Sequence, residues 1–242
     1  MTRLDQHLVA AGLTGSRARA KALIETGAVT VDGAVAHKPA QAVAPGAEVV
    51  VTADPCPWVS RAALKLIYAL DEFGLSPRGV ALDVGASTGG FTEVLLARGA
   101  ARVIALDVGH GQLHPRIAAD PRVVCLEGVN ARAIPAGLVP PVDWIVADVS
   151  FISLEKALPG PLALARPGAT LVALIKPQFE AGRAHVGRGG IVRDAGVHEV
   201  VRASIRNWLE GLGWQVTGEA VSPIEGGDGN REFLIAAQKA GV

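Results

Sequence analysis

The stretch Val80-Ala81-Leu82-Asp83-Val84-Gly85-Ala86-Ser87-Thr88-Gly89-Gly90-Phe91 decides the fold of this chain. Its first residues form an apolar run typical of a buried strand, and the glycine-rich turn that follows opens a helical pattern reaching Leu95-Leu96. A strand, a tight glycine turn and a helix in this order begin many nucleotide-binding α/β folds. The sequence therefore predicts a cofactor-binding loop over residues 82–91.

Predicted strands and helices alternate on both sides of this turn. Further strands are predicted at 103–106, 123–126, 143–147 and 170–175, helices at 60–73 and 197–211, and a closing antiparallel pair at 214–221 and 232–237. Strands that alternate with helices favour a mostly parallel sheet covered on both faces. The predicted fold class of this part is α/β.

Residues 1–52 follow a different pattern and are interpreted as a separate small α+β module. Apolar spacing over 4–13 indicates one short helix, and Ser16 is predicted to cap a second helix over 17–24. The dipeptide Asp32-Gly33 lies between short apolar runs and predicts a tight hairpin. The sequence thus predicts two helices and a small antiparallel sheet in this module.

A proline-containing segment, residues 53–59, is predicted to link the two domains. Pro55 and Pro57 favour extended backbone at the residues that precede them, which opposes a helix there. The predicted boundaries are therefore an N-terminal module at 1–52 and a larger domain at 60–242.

The composition excludes several classes of protein. Lysine and arginine number 23 and so do aspartate and glutamate, so the formal net charge is zero and any nucleic-acid-binding surface must be local. Cys56 and Cys125 lack the spacing of metal ligands and are interpreted as thiols of a reducing compartment. No apolar run approaches the ~20 residues of a membrane span, and no signal segment opens the chain. We expect a cytoplasmic protein that holds no metal and binds no membrane.

The glycine-rich turn allows three interpretations. A dinucleotide-binding loop needs glycine at its third position to admit a pyrophosphate, and Ser87 stands there instead. A hydrolase nucleophile elbow has the pattern G-x-S-x-G, which residues 85–89 match, with His185 or His198 as the candidate base. That hydrolase fold places several strands before its nucleophile, whereas only one α/β strand is predicted before Ser87.

The third interpretation is S-adenosylmethionine, a cofactor without phosphate groups. Such a site needs a tight turn for the methionine part and a carboxylate at the end of the next strand for the ribose hydroxyls. Asp107 follows Gly85 by 22 residues and ends the predicted strand 103–106. NAD-binding folds use a similar carboxylate, so Asp107 alone does not distinguish the two cofactors. Ser87 stands where a pyrophosphate would need glycine, and this favours S-adenosylmethionine.

Four charged residues, Lys65, Asp148, Lys176 and Glu232, lie at or near the ends of predicted elements. A ribose 2′-hydroxyl is a poor nucleophile at neutral pH, and its methylation needs in-line positioning and the removal of one proton. Lysine accepts a proton only as the neutral amine, which burial or a neighbouring positive charge favours. We predict that Lys176 is the base and that Asp148 orients it. Lys65 is the predicted positive neighbour, and Glu232 is predicted to hold Lys65.

These four residues resemble the Lys-Asp-Lys-Glu tetrad of FtsJ-like ribose 2′-O-methyltransferases. Across nearly the whole chain the sequence is more similar still to the TlyA family, often labelled hemolysins, which are rRNA cytidine-2′-O-methyltransferases. The matching strings are Val59-Ser60-Arg61, Gly85–Phe91, Gly109-His110-Gly111-Gln112-Leu113, Asp148–Leu154, Ile175–Glu180 and Gly229–Phe233. Ala62-Ala63, His110 and the segment 55–58 depart from what is usual in the family.

The resemblance implies a Rossmann-like methyltransferase domain that uses S-adenosylmethionine to methylate the 2′-oxygen of a cytidine in ribosomal RNA. Short family members without terminal extensions tend to modify the large subunit, so the large-subunit RNA is the expected substrate. The implied catalytic residues are Lys65, Asp148, Lys176 and Glu232. The implied cofactor contacts are Asp83, Gly85, Ala86, Ser87, Thr88, Gly89, Gly90, Phe91, Asp107 and Asn130.

Residues 1–52 resemble the small RNA-binding domain shared by pseudouridine synthases and ribosomal protein S-four. The implied RNA contacts of this module are Arg3, Arg17, Arg19, Lys21 and Lys38. The basic, glycine-rich segment 181–190 follows Lys176, and we predict a mobile loop that grips RNA through Arg183 and Arg188. Such binding is mostly electrostatic and positions a structured RNA without reading its sequence.

Three alternatives remain open. They are a non-catalytic ribosome-binding protein with a methyltransferase fold, a membrane-lytic hemolysin-like protein, and a hydrolase with Ser87 as its nucleophile. A lytic protein needs an apolar span or a strongly amphipathic cationic helix, and the sequence indicates neither. The oligomeric state is not indicated by the sequence.

Overall fold

The computed structural model describes residues 2–14, 17–52 and 57–241. The chain forms two compact units, Met1–Pro57 and Trp58–Val242. The predicted cap Ser16 and the linker residues 53–56 lie outside the described residues.

Within its described residues, the N-terminal unit contains two helices and two small sheets. Its elements are β1 (Thr2–Arg3), α1 (Leu4–Ala10), α2 (Arg17–Glu25), β2 (Val29–Val31), β3 (Ala34–Val35), β4 (Ala42–Val43) and β5 (Val49–Val51). Strand β2 pairs antiparallel with both β3 and β5, and β1 pairs antiparallel with β4. Leu4, Leu8 and Ile24 are fully buried in one apolar cluster with residues of β2 and β4, so this unit has its own core.

The larger unit is a seven-stranded sheet with helices on both faces. Its helices are α3 (Ala63–Glu72), α4 (Gly90–Ala97), α5 (Pro115–Ala118), α6 (Leu154–Ala157), α7 (Pro159–Ala163), α8 (Pro177–Glu180) and α9 (Ala195–Gly211). Its strands are β6 (Val80–Val84), β7 (Arg102–Asp107), β8 (Val123–Glu127), β9 (Val142–Ala147), β10 (Ala165–Ile175), β11 (Trp214–Val221) and β12 (Phe233–Lys239). Short 3-10 turns cover Ala131–Ala133, Arg183–His185 and Arg188–Gly190.

The strand order is β11-β12-β10-β9-β6-β7-β8. Strands β8, β7, β6, β9 and β10 run parallel, and β12 lies antiparallel between β10 and β11. Alternate residues of β6 face opposite ways: Leu82 and Val84 join a core with α6, α7 and α9, whereas Ala81 joins a core with α3 and α4. The predicted α/β fold class, with a mostly parallel sheet covered on both faces, is confirmed.

The observed bounds of several helices and strands differ from the predicted ones. The differences arise where a local hydrogen bond changes the backbone, or where an element is too short to show a periodic apolar pattern. The helix predicted at 60–73 begins at Ala63, because Ser60 Oγ accepts a hydrogen bond from Ala62 N at 3.1 Å, in the turn before the helix. Strand β10 begins at Ala165 rather than 170, with an irregularity in its pairing before Thr170. Helices α5 to α8 were not predicted, because four or five residues are too few for a helical period to appear.

The parallel strands end at one edge of the sheet, and this edge collects the charged residues. The segments after β6, β7, β9 and β10 leave it together, and the start of antiparallel β12 returns to it. Ligands of open α/β sheets bind at this carboxyl-end edge. Among the helices of the described residues, none is both long and apolar enough to cross a membrane.

We expect Asp5→Asn to loosen the N-terminal unit. Asp5 is buried and lies 3.0 Å from Arg3 Nε and 3.1 Å from Arg17 Nη2. The hydrogen bond from Arg3 holds the pKa of Asp5 well below its usual range. A carboxyl group with a lowered pKa stabilises the fold at neutral pH and loses that contribution as pH falls through the folded-state value.

The measurement is amide hydrogen exchange over residues 2–14 and 17–52 of the full chain. At pH 7 the variant is expected to exchange faster than the wild type, and the difference should shrink below about pH 4. Equal exchange at pH 7 would show that Asp5 adds no stability.

Candidate active site

The structure joins the four predicted catalytic residues into two lysine–carboxylate pairs. Lys65 Nζ lies 2.5 Å from Glu232 Oε2, and Lys176 Nζ lies 2.5 Å from Asp148 Oδ1. Lys65, Lys176 and Glu232 are less than a tenth exposed, and Asp148 is 15% exposed. Glu232 therefore holds Lys65 and Asp148 holds Lys176, and the catalytic roles of all four stay predictions.

The fold explains why residues so distant in sequence meet. Asp148 and Lys176 directly follow the neighbouring parallel strands β9 and β10, whose carboxyl ends share one edge. Glu232 precedes β12, which runs antiparallel to β10 and so begins at that edge. Lys65 lies in the first turn of α3, which packs against the sheet.

Two cavities open around these pairs. The first, about 570 Å³ and called here the Lys65 cavity, is lined by Lys65, Lys176, Glu232, Ser150, Phe151 and Phe179, among others. The second, about 230 Å³ and called the Thr88 cavity, is lined by Gly85, Thr88, Phe91, Asp148, Ser150 and Lys176, among others. Lys176 lines both, so it stands between the glycine turn and the other lysine.

Sequence reasoning missed Ser150 and Phe151. Lys176 Nζ donates a hydrogen bond to Ser150 Oγ at 2.9 Å. Phe151 is 91% exposed and has a left-handed φ of 66°, which is rare for an aromatic residue. Its ring centroid lies 5.2 Å from that of Phe179. Both missed residues lie in the string 148–154 that carries the family resemblance, but exposure and backbone strain cannot be inferred from residue types.

Glu180 ties the segment after Lys176 to the segment after Asp148. Its Oε1 accepts a hydrogen bond from Leu154 N at 2.8 Å, and burial raises the pKa of Glu180 to about 7. Together with the contact between Phe151 and Phe179, this bond fixes the loop 149–153 to α8 at two points.

Gly85 lets the glycine turn approach the backbone of Asp148. Its φ is 83°, and a Cβ at this position would lie 2.7 Å from the Asp148 carbonyl oxygen. Asp148 N donates a hydrogen bond to Val84 O at 3.1 Å. Glycine is required here for both reasons, because other residues rarely adopt this φ and a side chain would separate the two segments.

Both carboxylate oxygens of Asp107 accept hydrogen bonds from backbone amides. Ser87 N lies 2.8 Å from Oδ2, and Gly109 N lies 2.8 Å from Oδ1. The Ser87 amide is therefore turned towards a negative charge and not towards a phosphate. Each carboxylate oxygen has a second lone pair, so ribose hydroxyls can still donate to Asp107. This geometry favours a cofactor that has a ribose and no pyrophosphate.

A cavity of about 480 Å³, called here the Asp107 cavity, lies beside these groups. Its lining includes Gly85, Ser87, Asp107, Asn130 and Asp148, with apolar walls from Leu106, Val129 and Ile152. Its volume is within the range of about 300–1,000 Å³ found for small-molecule sites. Apolar walls suit an adenine ring, Asp107 suits a ribose, and the Asp148 carboxylate suits a sulfonium cation. These residues therefore fit S-adenosylmethionine.

The predicted cofactor residues divide into three groups. Gly85, Ser87, Asp107 and Asn130 line the Asp107 cavity, and Ala86, Thr88, Gly90 and Phe91 line the Thr88 cavity. Asp83 and Gly89 line neither cavity. A Cβ on Gly89 would lie 2.8 Å from Leu113 Cδ1, so this glycine allows close packing at the start of α4.

Asp83 lies away from the cavity linings, and its contact with the cofactor stays a prediction. Asp83 is fully buried on the face of β6 that points to α4, and its Oδ2 accepts a hydrogen bond from Thr92 Oγ1 at 2.7 Å. Its Oδ1 has no hydrogen-bond partner among the described residues. Burial raises the pKa of Asp83 to about 7. Its observed contact is therefore structural, because it ties β6 to α4.

Neither candidate base of the hydrolase interpretation shares a cavity with Ser87. Ser87 has a left-handed φ of 48°, as a nucleophile elbow requires, and it lines the Asp107 and Thr88 cavities. His185 lies on an exposed 3-10 turn, and His198 is buried in α9 with Nε2 2.9 Å from Val192 O. Neither histidine lines a cavity that Ser87 lines, so neither is placed to serve as its base.

The predicted RNA contacts of the N-terminal unit are partly engaged within the protein. Arg3 and Arg17 both pair with Asp5, and Lys21 Nζ lies 3.7 Å from Glu25 Oε1. Arg19 is half-buried, and Lys38 is exposed. Arginine has five N–H donors, so pairing with Asp5 leaves donors of Arg3 and Arg17 for phosphate. RNA binding by these residues stays a prediction.

The segment 181–190 presents exposed Arg183 and Arg188 on two 3-10 turns. Its end is fixed by Asn230, which is fully buried. Asn230 Oδ1 accepts a hydrogen bond from Val192 N at 3.0 Å, and Nδ2 donates to Gly190 O at 2.9 Å. A segment expected to be a mobile loop is therefore held at this end beside Glu232.

Comparisons with known proteins cover both units of the chain. A family model described as FtsJ-like methyltransferase matches residues 58–239, and one described as S4 domain matches residues 2–49. A Mycobacterium tuberculosis protein named 16S/23S rRNA (cytidine-2'-O)-methyltransferase TlyA is 47% identical over 236 residues, which are 96% of this chain and 88% of that protein.

Two further relatives carry a different name. Hemolysin A of Brachyspira hyodysenteriae is 40% identical over 237 residues, which are 96% of this chain and 98% of that protein. A solved structure described as a putative hemolysin from Streptococcus thermophilus has a TM-score of 0.79 at 39% identity, covering 99% of this chain and 88% of that one.

We expect Gly85→Ala to weaken cofactor binding, because the new Cβ would meet the Asp148 carbonyl oxygen at 2.7 Å. Affinity for S-adenosylmethionine, measured by calorimetry, should fall by about tenfold or more as the two segments separate. The free energy of unfolding should fall by about 1–3 kcal/mol. Gly111→Ala is the matched control, because Gly111 has a similar φ of 64° and open space around its Cβ position. An equal loss of affinity in both variants would assign the effect to backbone strain alone.

We expect Asp83→Asn to flatten the pH dependence of stability. The folded-state pKa of about 7 lies above that of an unfolded aspartate. The contribution of Asp83 is therefore fully present at low pH and is lost as pH rises through the folded-state value. Urea unfolding at pH 5 and pH 8 should show a smaller difference for the variant, with unchanged affinity for S-adenosylmethionine. Lost affinity with an unchanged pH dependence would identify Asp83 as a cofactor contact.

Proposed function

Because the chain belongs to the FtsJ-like methyltransferase family and carries an S4 domain, we propose that it methylates a ribose 2′-hydroxyl of ribosomal RNA with S-adenosylmethionine. The observation that carries the proposal is the arrangement of the pairs Lys65–Glu232 and Lys176–Asp148. Lys176 stands where the Thr88 cavity, at the glycine turn, meets the Lys65 cavity. Methyl transfer to a hydroxyl needs a proton acceptor at such a meeting point.

We assign catalysis to residues 60–242 and RNA binding to residues 1–52, with residues 53–59 as the connection. The S4 domain positions the RNA through phosphate contacts, and the catalytic domain receives the target nucleotide. We place the protein in the cytoplasm, because its proposed substrate, the ribosomal subunit, is found there.

S-adenosylmethionine supplies a methyl group that its sulfonium has already activated. The protein must hold the 2′-hydroxyl in line and remove its proton. Lys176, as the neutral amine, accepts this proton, and Asp148 at 2.5 Å stabilises the resulting ammonium group. The ammonium group of Lys65, held by Glu232, lines the cavity in which the oxygen becomes more negative.

The nucleotide must leave its helix to bring the ribose into the Lys65 cavity. The exposed ring of Phe151 lines this cavity and offers an apolar face on which an unstacked base can lie. The proposed target nucleoside is cytidine, which is taken from the name of the Mycobacterium tuberculosis relative. The same name makes both the small- and the large-subunit RNA candidate substrates. The family model that matches residues 58–239 is a methyltransferase, so methyl transfer is favoured over the lysis that the hemolysin names suggest.

The test incubates purified protein and methyl-labelled S-adenosylmethionine with unmodified small and large ribosomal subunits, separately and mixed. We expect label on a cytidine 2′-oxygen, mapped by nuclease digestion and mass spectrometry. Lys176→Ala is expected to slow the reaction by about 10²–10⁴-fold, the contribution of a general base. Lys156→Ala is the matched control, because it removes an exposed lysine of α6 that lines neither the Lys65 nor the Thr88 cavity.

Each other outcome has a distinct meaning. Label on a base would overturn the assignment of the tetrad while leaving the family assignment intact. An equal loss of rate in Lys156→Ala would show that net charge, and not the base, limits the reaction. No label on any ribosomal substrate, with cofactor binding intact, would contradict the proposed function.

A further inference from the structure

A hydroxyl group outside the predicted tetrad contacts Lys176 directly. Lys176 Nζ donates a hydrogen bond of 2.9 Å to Ser150 Oγ, on the loop that follows β9. Its other close contact, 2.5 Å to Asp148 Oδ1, has the distance of an ion pair. The Lys176 amine therefore has a charged partner, Asp148, and a neutral one, Ser150.

The two contacts have different physical consequences. An ion pair depends on distance far more than on direction, so Asp148 holds the Lys176 amine near without fixing rotation about the Cε–Nζ bond. A hydrogen bond weakens steeply away from linear geometry, so Ser150 selects among the rotations of the amine. When the amine is neutral, an N–H donated to Ser150 excludes the lone pair from that direction and leaves it facing the cavities.

Ser150 lies where all three cavities meet. It lines the Asp107, Thr88 and Lys65 cavities, whereas Lys176 lines only the last two. Its loop is held by the contact of Phe151 with Phe179 and by the hydrogen bond from Leu154 N to Glu180. Both anchors belong to α8, which begins directly after Lys176. The hydroxyl and the amine are therefore fixed to one another through the fold as well as through their hydrogen bond.

We propose that Ser150 is a positioning residue that aims the Lys176 lone pair at the target 2′-hydroxyl. This inference rests on the proposed function and adds a specific step to it. The O–H bond breaks and its electron pair forms the bond to the methyl carbon, while the carbon–sulfur bond of the sulfonium would break with its electron pair left on sulfur. The proton passes to the Lys176 amine, which becomes an ammonium beside Asp148. Without the Ser150 hydroxyl, the neutral amine rotates among its three orientations and drifts from the productive one.

The first experiment compares Ser150→Ala, Ser150→Thr and the matched control Ser153→Ala. Ser153 lies on the same loop, and its side chain makes no capping hydrogen bond. We expect Ser150→Ala to lower kcat by about 10- to 100-fold, since misorientation of a base acts on the chemical step. KM for the ribosomal substrate and Kd for the cofactor should stay unchanged. Ser150→Thr should restore most of the rate, because it keeps the hydroxyl, and Ser153→Ala should behave as the wild type.

Three results would overturn the inference. One is a wild-type kcat in Ser150→Ala, and another is a loss of rate that Ser153→Ala shares, which would indicate general damage to the loop. The third is a loss that appears in cofactor Kd and leaves kcat unchanged, which would make the hydroxyl a cofactor contact.

A readout without methyl transfer separates this inference from the proposed function. Brief acetylation with acetic anhydride at one pH, quantified by mass spectrometry, reports the reactivity of each lysine amine. In Ser150→Ala, acetic anhydride should acetylate Lys176 about threefold or more faster than in the wild type, because the amine no longer donates a hydrogen bond to Ser150. The acetylation rate of exposed Lys156 should be unchanged. If the wild type methylates no RNA and Lys176 still responds, the proposed function fails while the positioning contact is supported. Unchanged Lys176 reactivity would overturn the inference.

Discussion

The site depends on the close approach of two backbone segments at neighbouring strand ends. Gly85 follows β6 and Asp148 follows β9, and there is no room for a Cβ between them. This contact sets the distance between the glycine turn and Asp148, and through Asp148 it sets the positions of Lys176 and Ser150 relative to the Asp107 cavity. The proposed alignment of a cofactor with a base is therefore set by two strand ends of the sheet.

With both lysines protonated the tetrad is electrically neutral as a set, because two ammonium groups face two carboxylates. Buried charges are tolerated when they are paired, and removing one partner leaves the other uncompensated. An alanine substitution at any of these four positions thus changes the electrostatics of its partner as well as the chemistry. Loss of activity in such a variant identifies the pair, and assigning the role of base to Lys176 needs evidence about its own amine.

The fold and the four residues of the tetrad could be predicted from the sequence. Apolar runs bounded by glycine predicted the sheet, and charged residues at element ends predicted the tetrad, since both depend on periodicity. The alternation of side chains along a strand also predicts that Asp83 shares the α4-facing side of β6 with Ala81, as the structure shows. Ser150 and Phe151 could not be predicted, because their roles depend on a loop conformation that Phe179 and Glu180 hold from another segment.

The bond between Lys65 and Glu232 joins residues 167 positions apart. Glu232 directly precedes β12. This strand comes last in the sequence of the described residues, yet it lies inside the sheet between β10 and β11. A chain still being synthesised holds Lys65 without a counter-ion and lacks one wall of the Lys65 cavity until β12 has emerged and paired. Lys65 therefore gains its counter-ion only after β12 has paired with β10, although Lys65 itself lies before the first strand of the sheet.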